Sequence, residues 1–219
     1  DAGPNTGGMG AYSPTNALTP ELEARAMAEI VEPTVRAMAA AGTPFSGVLY
    51  AGLMLTPQGP KLIEYNARFG DPEAQVLMLR LEEDLLDLML DTARGRLAGR
   101  GAPAMNRHVA VGVVIAAKGY PGTPAAGGRI EGIADAEAEG AKVFHAGTRL
   151  VDGNLLASGG RVLTVCALGA AIGEAREAAY RAATRVRFAD GFHRRDIGWR
   201  EVERSSTASD GIDSPAPGF

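Results

Sequence analysis

An uninterrupted apolar segment marks the first clear strand of the chain. Residues Gly47–Leu55 are almost entirely hydrophobic and end at the turn residues Thr56–Gly59, which is typical of a strand covered on both faces. The next segment, 60–68, has the pattern of a second strand that runs out into a tight loop. The short turn between the two strands predicts an antiparallel hairpin.

Helical spacing of apolar residues predicts an α-helix that starts at Thr19–Glu21, where a capping residue, a proline and an acid follow one another. We expect Pro33 to kink this helix or to divide it in two. Further helices are predicted over 72–79, 83–97 and 171–188, and further strands over 108–117, 142–145, 148–151 and 161–168. In the helix over 83–97, the residues expected to point inward are Leu85, Leu86, Met89 and Leu90.

A stretch without periodicity divides the chain. Residues 99–107 are rich in glycine and proline, and we interpret them as a linker between a first region, 1–98, and a second region, 108–204. The last stretch, 205–219, is polar and rich in proline and glycine, so we expect it to be a disordered tail.

The second strand of the hairpin carries the first candidate chemistry. Glu64, Asn66 and Arg68 occur at every second position, so they share one face of a strand. A carboxylate and an amide oxygen are suitable ligands for Mg²⁺, which fills its other positions with water and phosphates, and an arginine fork suits phosphate. The alternative is an amphipathic edge strand with a polar solvent face.

The loop after this strand leads into a helix. Gly70 permits a sharp bend, Asp71 and Pro72 have the pattern of an N-cap and a first helical residue, and Glu73 falls in the first turn. A helix N-terminus at the end of the strand is a natural anion site. Its acids also suit an amine or ammonium group. For Asp71 the alternative is a plain helix cap.

The stretch Asp1–Pro14 is a dense loop of glycine, proline and asparagine. Its glycines allow the backbone to approach a ligand closely, and Asn5, Thr6 and exposed N–H groups are able to hold a phosphate. The spacing is not that of a Walker loop, because no Gly-Lys-Ser/Thr follows. The alternative is a flexible turn or terminus.

Composition excludes several classes of function. The chain has 22 Lys and Arg against 26 Asp and Glu, a net charge of −4, and no basic run, so we expect no nucleic-acid partner. Its single cysteine, Cys166, lies in an apolar run and is expected to be a buried, inert thiol. Neither a transmembrane stretch nor a signal-peptide pattern occurs, which predicts a soluble cytoplasmic protein without a membrane partner. The spacing of His108, His145 and His193 is not that of metal ligands, and we expect structural roles for them.

Six stretches, taken together and in this order, resemble the phosphoribosylamine–glycine ligase (glycinamide ribonucleotide synthetase) family of the ATP-grasp superfamily. They are GPNTGGMGAYSP at 3–14, FSGVLYAGLM at 45–54, IEYNARFGDPEAQ at 63–75, VFHAGT at 143–148, GGRVLTVCALG at 159–169 and RRDIGWR at 194–200. The resemblance implies an α+β fold: the C-terminal half of an ATP-grasp domain, mostly antiparallel sheet with helices, followed by a small β-rich C-terminal subdomain.

The resemblance also implies a reaction of purine biosynthesis. ATP would phosphorylate the carboxylate of glycine, and the amine of 5-phosphoribosylamine would attack the glycyl phosphate to give glycinamide ribonucleotide, ADP and phosphate. Glu64 and Asn66 match the family's positions for Mg²⁺ or Mn²⁺, and Arg68 would act catalytically on the phosphate or acyl phosphate. The residues matched to substrate-binding edges are Asp1, Asn5, Thr6, Gly7, Gly8, Met9, Gly10, Gly70, Asp71 and Glu73.

Two departures from the family pattern leave alternatives open. The strand before the metal strand usually carries a second acid, whereas Leu49–Met54 has none. The resemblance covers the C-terminal half of such enzymes, so we expect N-terminal and lid domains to dock on this chain, and the chain alone to bind nucleotide poorly and not to turn over. The alternatives are another ATP-grasp carboxylate–amine ligase and a catalytically silent fragment or interaction module.

Overall fold

The computed structural model describes residues 3–210, except the side chains of 208–210. The fold is α+β with antiparallel sheets, as expected. In chain order the strands are β1 (Gly10–Ser13), β2 (Tyr50–Thr56), β3 (Gly59–Asn66), β4 (Val109–Ala117), β5 (Lys142–His145), β6 (Thr148–Val151), β7 (Asn154–Ala157), β8 (Arg161–Gly169) and β9 (Gly191–Phe192). The α-helices are α1 (Pro20–Ala26), α2 (Glu32–Ala40), α3 (Glu73–Arg80), α4 (Leu85–Ala93), α5 (Ile133–Ala138), α6 (Ile172–Ala183) and α7 (Trp199–Asp210).

The chain forms two compact units. The sheet unit consists of the described parts of Asp1–Pro14, Asp71–Arg80 and Arg107–Phe219, and the hairpin unit of Thr15–Gly70 and Leu81–Asn106. This division differs from the predicted regions 1–98 and 108–204. The glycine-rich stretch at the start of the chain, up to Pro14, belongs to the sheet unit because β1 pairs with β4. Helix α3 belongs there because it packs against β4, β1 and β8.

The sheet unit is built around β4 and β8. Its sheet has the order β1-β4-β8-β5, with β9 paired to the far end of β4, and all pairs are antiparallel. β4 is apolar throughout because both of its faces are covered. Val111, Val113 and Ile115 pack in the core cluster that includes the alanines of α6, whereas Val114 and Ala116 pack with Met9 in a separate cluster.

Helix α6 lies close to the sheet because the residues at their contact are small. Ala175, Ala179 and Ala182 are fully buried, and a Cβ on Gly169 would lie 2.4 Å from the backbone nitrogen of Ala175. The helix ends at Ala183 rather than at the predicted residue 188. The reason is that Arg187 exchanges two backbone hydrogen bonds with Glu131, so this part of the chain is extended.

Helix α7 corrects the expectation of a tail that is disordered from residue 205. The helix continues to Asp210, and residues 211–219 lie outside the described residues. Glu201 in its first turn is buried and forms a 2.6 Å ion pair with Arg204. The hydroxyls of Ser205 and Ser206 donate to backbone carbonyls one turn earlier, so serines that suggested disorder are accommodated within the helix.

In the hairpin unit, β2 and β3 form the predicted antiparallel hairpin. A π-helical segment, Met27–Val31, joins α1 to α2 directly before Pro33, so the helix changes its winding instead of breaking. The hydroxyl of Tyr65 on β3 donates to the carbonyl of Ile30 in this segment at 3.0 Å. The helical segment is thereby tied to one side of the hairpin.

Apolar cover is sparse in the hairpin unit. Among its described hydrophobic residues only Ala26 is buried. Met54 and Leu55 on β2 are exposed, so the prediction of a strand covered on both faces is wrong. Leu86 and Met89 on α4 are also exposed, at 63% and 56%, which corrects their inward assignment. Hydropathy marked these residues as apolar without showing what would cover them.

None of the helices within residues 3–210 has the length and apolar character needed to cross a bilayer.

Replacement of Leu163 by alanine should destabilise the sheet unit. The Leu163 side chain on β8 is fully buried, so Leu163→Ala should lower the free energy of unfolding by about 2–5 kcal/mol. Urea unfolding followed by circular dichroism would measure the change. Leu150→Ala is the matched control, because Leu150 is 72% exposed and its loss should change stability by less than about 0.5 kcal/mol. Equal effects of the two substitutions would contradict the described core.

The thiol of Cys166 should be unreactive in the folded chain. Cys166 lies in β8 and is fully buried, and this burial raises the pKa of its thiol to about 12. At pH values near 8 the thiolate is therefore scarce and inaccessible. A disulfide reagent should label no thiol in the native chain and one per chain in urea, and rapid labelling without denaturant would refute the burial.

Candidate functional site

The glycine-rich loop, residues 5–10, is anchored at its end by β1. Gly10 has no space for a side chain, because a Cβ there would lie 2.6 Å from Cγ2 of Ile197 and 2.7 Å from the carbonyl oxygen of Gly112. The side chain of Met9 is buried, and its carbonyl accepts from the backbone N–H of Val114 at 3.0 Å. Met9 and Gly10 therefore fix the loop to the sheet, and the Met9 side chain is not available to a ligand.

In the middle of the loop, Gly7 is held by hydrogen bonds to both its N–H group and its carbonyl oxygen. The backbone N–H of Gly7 donates to the hydroxyl of Tyr120 at 2.8 Å, and the carbonyl of Gly7 accepts from Nη1 of Arg161 at 2.5 Å. Gly8 has a φ of +103°, and a Cβ there would lie 2.9 Å from Cδ of Pro72. Asn5 and Thr6 are exposed, so the loop presents its polar side chains at its outer end.

Asp71 belongs to the same cluster in the sheet unit. Its Oδ2 accepts from Nη2 of Arg161 at 3.0 Å, and its Oδ1 accepts from Nε2 of Gln75 at 2.9 Å. The helix after it begins at Glu73, one residue later than predicted. The two carboxylate oxygens of Asp71 are thus used by Arg161 and Gln75, which does not support the alternative of a plain helix cap.

Arg161 and Tyr120 were not found by sequence reasoning. Arg161 starts β8 directly after two glycines, and a Cβ on Gly160 would lie 2.4 Å from Cδ2 of Tyr120. The signal that could have indicated Arg161 is its position after two glycines at the start of an apolar strand. This pattern alone does not name the partners of Arg161, because Gly7 lies 154 residues away and Asp71 lies 90 residues away in the chain.

The segment around Ile197 packs against the loop at Gly10. The carbonyl of Ile197 accepts from Nε of Arg176 at 2.8 Å, and its N–H donates to the hydroxyl of Tyr180 at 3.1 Å. Next to it, Arg194 binds both carboxylate oxygens of Asp196 and holds the pKa of that carboxyl well below its usual range. Hydrogen bonds thus fix the residues of the RRDIGWR motif, and one of them, Ile197, packs against Gly10.

In the hairpin unit, Glu64 and Asn66 lie on the same side of β3, as the alternation predicted. Nδ2 of Asn66 donates to Oε1 of Glu64 at 3.0 Å. Gly52 is paired opposite Glu64, and a Cβ there would lie 3.3 Å from Cγ of Glu64. The absence of a side chain on Gly52 leaves the Glu64 carboxylate accessible.

Arg68 and Gly70 complete the predicted residues of the hairpin unit. Arg68 is exposed, and its Nη1 donates to the carbonyl of Phe69 at 2.8 Å. Among the described residues it makes no hydrogen bond to Glu64 or Asn66, so its guanidinium is left accessible to other groups. Gly70 is buried. Asp1 lies outside the described residues.

The donors on β3 fit a divalent cation that is shared with a ligand. Within residues 3–210 no group of three or more His, Cys, Asp or Glu could hold a metal ion, and β2 has no acid opposite Glu64. Glu64 and Asn66 supply two hard oxygen ligands. This number suits Mg²⁺ or Mn²⁺ bound through one carboxylate, water and substrate phosphates, and does not suit a cage made of protein alone.

Comparison with known proteins identifies the family. The model for the ATP-grasp (A) domain of phosphoribosylglycinamide synthetase matches residues 1–74, and the model for the C domain of the same enzyme matches residues 110–200. The chain belongs to the phosphoribosylglycinamide synthetase family. The A-domain match contains the glycine-rich loop, the β3 donors and Asp71, and the C-domain match contains Arg161 and the Ile197 segment.

Individual relatives agree with this family. The chain is 56% identical to phosphoribosylamine–glycine ligase of Mesorhizobium japonicum and 57% identical to that of Caulobacter vibrioides, in each case over 93% of this chain and 48% of the relative. The crystal structure of phosphoribosylamine–glycine ligase from Thermotoga maritima superposes with a TM-score of 0.77 at 38% identity, over 90% of this chain and 48% of that one. The chain therefore spans about half the length of these synthetase relatives.

Replacement of Gly10 should test the anchoring of the loop. In Gly10→Ala the new Cβ would overlap Ile197 and the carbonyl of Gly112, so we expect a loss of about 1–3 kcal/mol in unfolding free energy. Gly173→Ala in α6 is the control, because a Cβ there meets no atom within 4 Å and should be neutral or slightly stabilising. Thermal unfolding of both variants would measure the difference, and an unchanged Gly10→Ala would contradict the close approach.

Proposed function

We propose that the protein containing this chain ligates glycine to 5-phosphoribosylamine with ATP, by way of glycyl phosphate, and releases glycinamide ribonucleotide, ADP and phosphate. The observation that carries the proposal is the pair of oxygen donors on one side of β3, Glu64 and Asn66. These donors lie in a chain whose two matched domains both come from this ligase family.

In this proposal the hairpin unit serves phosphoryl transfer. Glu64 and Asn66 would hold Mg²⁺ or Mn²⁺, and the ion would neutralise charge on the nucleotide phosphates. The exposed guanidinium of Arg68 would bind the transferred phosphoryl group or the acyl phosphate, where a fork of N–H donors stabilises developing negative charge.

The sheet unit would bind the amine substrate. The Asp71 side chain is 44% exposed although Arg161 and Gln75 hold it, so its carboxylate is both fixed and accessible to an ammonium or amine group. Asn5 and Thr6 at the exposed end of the glycine-rich loop would contact the phosphoribosyl part. Asp1, Gly70 and Glu73 remain predicted substrate contacts, and the cytoplasmic location remains a prediction.

A second candidate function is a catalytically silent interaction module. The observation that favours it is the sparse cover of the hairpin unit, where Leu62, Ile63, Leu86 and Met89 are exposed, because large exposed apolar surfaces mark contacts with other protein surfaces. In the ligase proposal these side chains would be covered by the N-terminal and lid domains. Another ATP-grasp amine ligase has less support, because both matched domain models belong to one ligase family.

Substitution of Glu64 in the full-length protein tests the ligase proposal. Release of ADP should depend on glycine and 5-phosphoribosylamine in the wild type, and Glu64→Gln should lower kcat by about a hundredfold or more. In Glu64→Gln the affinity for Mn²⁺ in the presence of a non-hydrolysable ATP analogue, measured by electron paramagnetic resonance, should fall by about tenfold or more.

Glu23→Gln is the control for this experiment, because Glu23 is an exposed acid on α1 of the same unit and should leave both measurements unchanged. Wild-type protein without glycine-dependent ADP release would refute the ligase proposal and favour the silent module. Activity that survives in Glu64→Gln would refute the role of Glu64 as a metal ligand.

A further inference from the structure

Arg161 makes an unusual number of contacts for one side chain of the sheet unit. Its Nη1 lies 2.5 Å from the carbonyl oxygen of Gly7 and 2.5 Å from that of Asp71, and its Nη2 lies 3.0 Å from Oδ2 of Asp71. The carbonyl of Gly8 lies at 3.3 Å from the same Nη1. One guanidinium therefore joins two separate stretches of backbone and one carboxylate.

The geometry requires an arginine at this position. Nη1 donates to the carbonyls of Gly7 and Asp71, and Nη2 donates to the Asp71 carboxylate. A guanidinium offers these directions from one rigid fork, whereas a lysine ammonium offers three donors from a single point. The Arg161 side chain is only 22% exposed, so its hydrogen bonds are partly shielded from water.

The N–H group of Gly7 is held by Tyr120, whose ring lies close to the residue before Arg161. The Tyr120 hydroxyl accepts from the Gly7 N–H, and the Tyr120 ring lies over Gly160, the residue before Arg161. The loop is thus fixed at its N–H by Tyr120 and at its carbonyl by Arg161. Both contacts leave the side chains of Asn5 and Thr6 exposed.

We propose that Arg161 is a positioning residue that holds the glycine-rich loop and Asp71 in the arrangement that binds the amine substrate. This inference rests on the proposed function, because it takes Asp71 and the loop as the binding surface for 5-phosphoribosylamine. Arg161 acts through these groups. It orders the loop in the free protein, so that the substrate need not order it on binding.

The experiment compares Arg161→Met, Arg161→Lys and Arg129→Met in the full-length protein. Arg129→Met is the matched control, because Arg129 is an exposed arginine of the same unit that pairs with one acid, Glu131, at 2.9 Å. The first measurement is amide hydrogen exchange of the free protein, and the second is the steady-state kinetics of ADP release with each substrate varied in turn.

Arg161→Met should speed exchange at residues 5–10 by about tenfold or more and leave that of β4 unchanged. It should raise KM for 5-phosphoribosylamine by about tenfold or more, with KM for ATP and kcat within about threefold of the wild type. Arg161→Lys should recover part of both effects because it keeps the charge, and Arg129→Met should show neither effect.

Several outcomes would overturn the proposal. Unchanged exchange with a raised KM would mean that Arg161 contacts the substrate itself. Faster exchange with an unchanged KM would mean that the loop's order does not serve binding, and lower thermal stability with unchanged KM values would mean a purely structural role. If the wild type ligates nothing, the proposed function fails, and unchanged exchange in Arg161→Met would then separately refute the holding role of Arg161.

Discussion

The antiparallel pairing of β4 with β8 is the interaction on which the sheet unit's part of the candidate residues depends. In this register Ala116 is opposite Arg161, while β1 on the other edge of β4 pairs Gly10 with Val113. The chain before Gly10 continues toward the end of β4 at which Arg161 lies, since the carbonyl of Met9 binds the N–H of Val114. A shift of one residue in either pairing would reverse which side chains face the core, and would separate Gly7 from Arg161.

The two units rely on different sources of order. In the sheet unit both faces of β4 are packed, and buried alanines of α6 bring the helix close to the strands. In the hairpin unit most apolar side chains remain partly or fully exposed, and polar contacts do more of the ordering. Arg100, for example, binds both Glu83 and Asp91. Such ion pairs near the surface contribute little stability, so the hairpin unit draws less of its stability from a buried core than the sheet unit does.

The local sequence pattern predicted most helices and strands. It did not predict features that depend on contacts between residues far apart in the chain. The β2–β3 hairpin and the shared side of Glu64 and Asn66 followed from turn residues and alternation, which are properties of neighbouring positions. The roles of Met9 and Asp71 did not follow from local pattern. Met9 is a core residue because it packs with Val114 and Ala116 of β4, and the Asp71 carboxylate binds Arg161, which lies 90 residues away in the chain. The exposure of Leu86 could not be predicted either, since hydropathy states a preference for burial without showing what provides it.

The order of the segments along the chain has a consequence for how the protein is made. The sheet unit takes its strands from both sides of the hairpin unit, since β1 ends at Ser13 and its partner β4 begins at Val109. During synthesis the glycine-rich loop therefore emerges well before any strand that can hold it, and β2 and β3 can pair first because they are adjacent in the chain. Completion of β8 then brings Arg161 into place. The loop thus acquires its shape late, and a ribosome-bound chain that ends before β8 carries the loop residues without the guanidinium that fixes them.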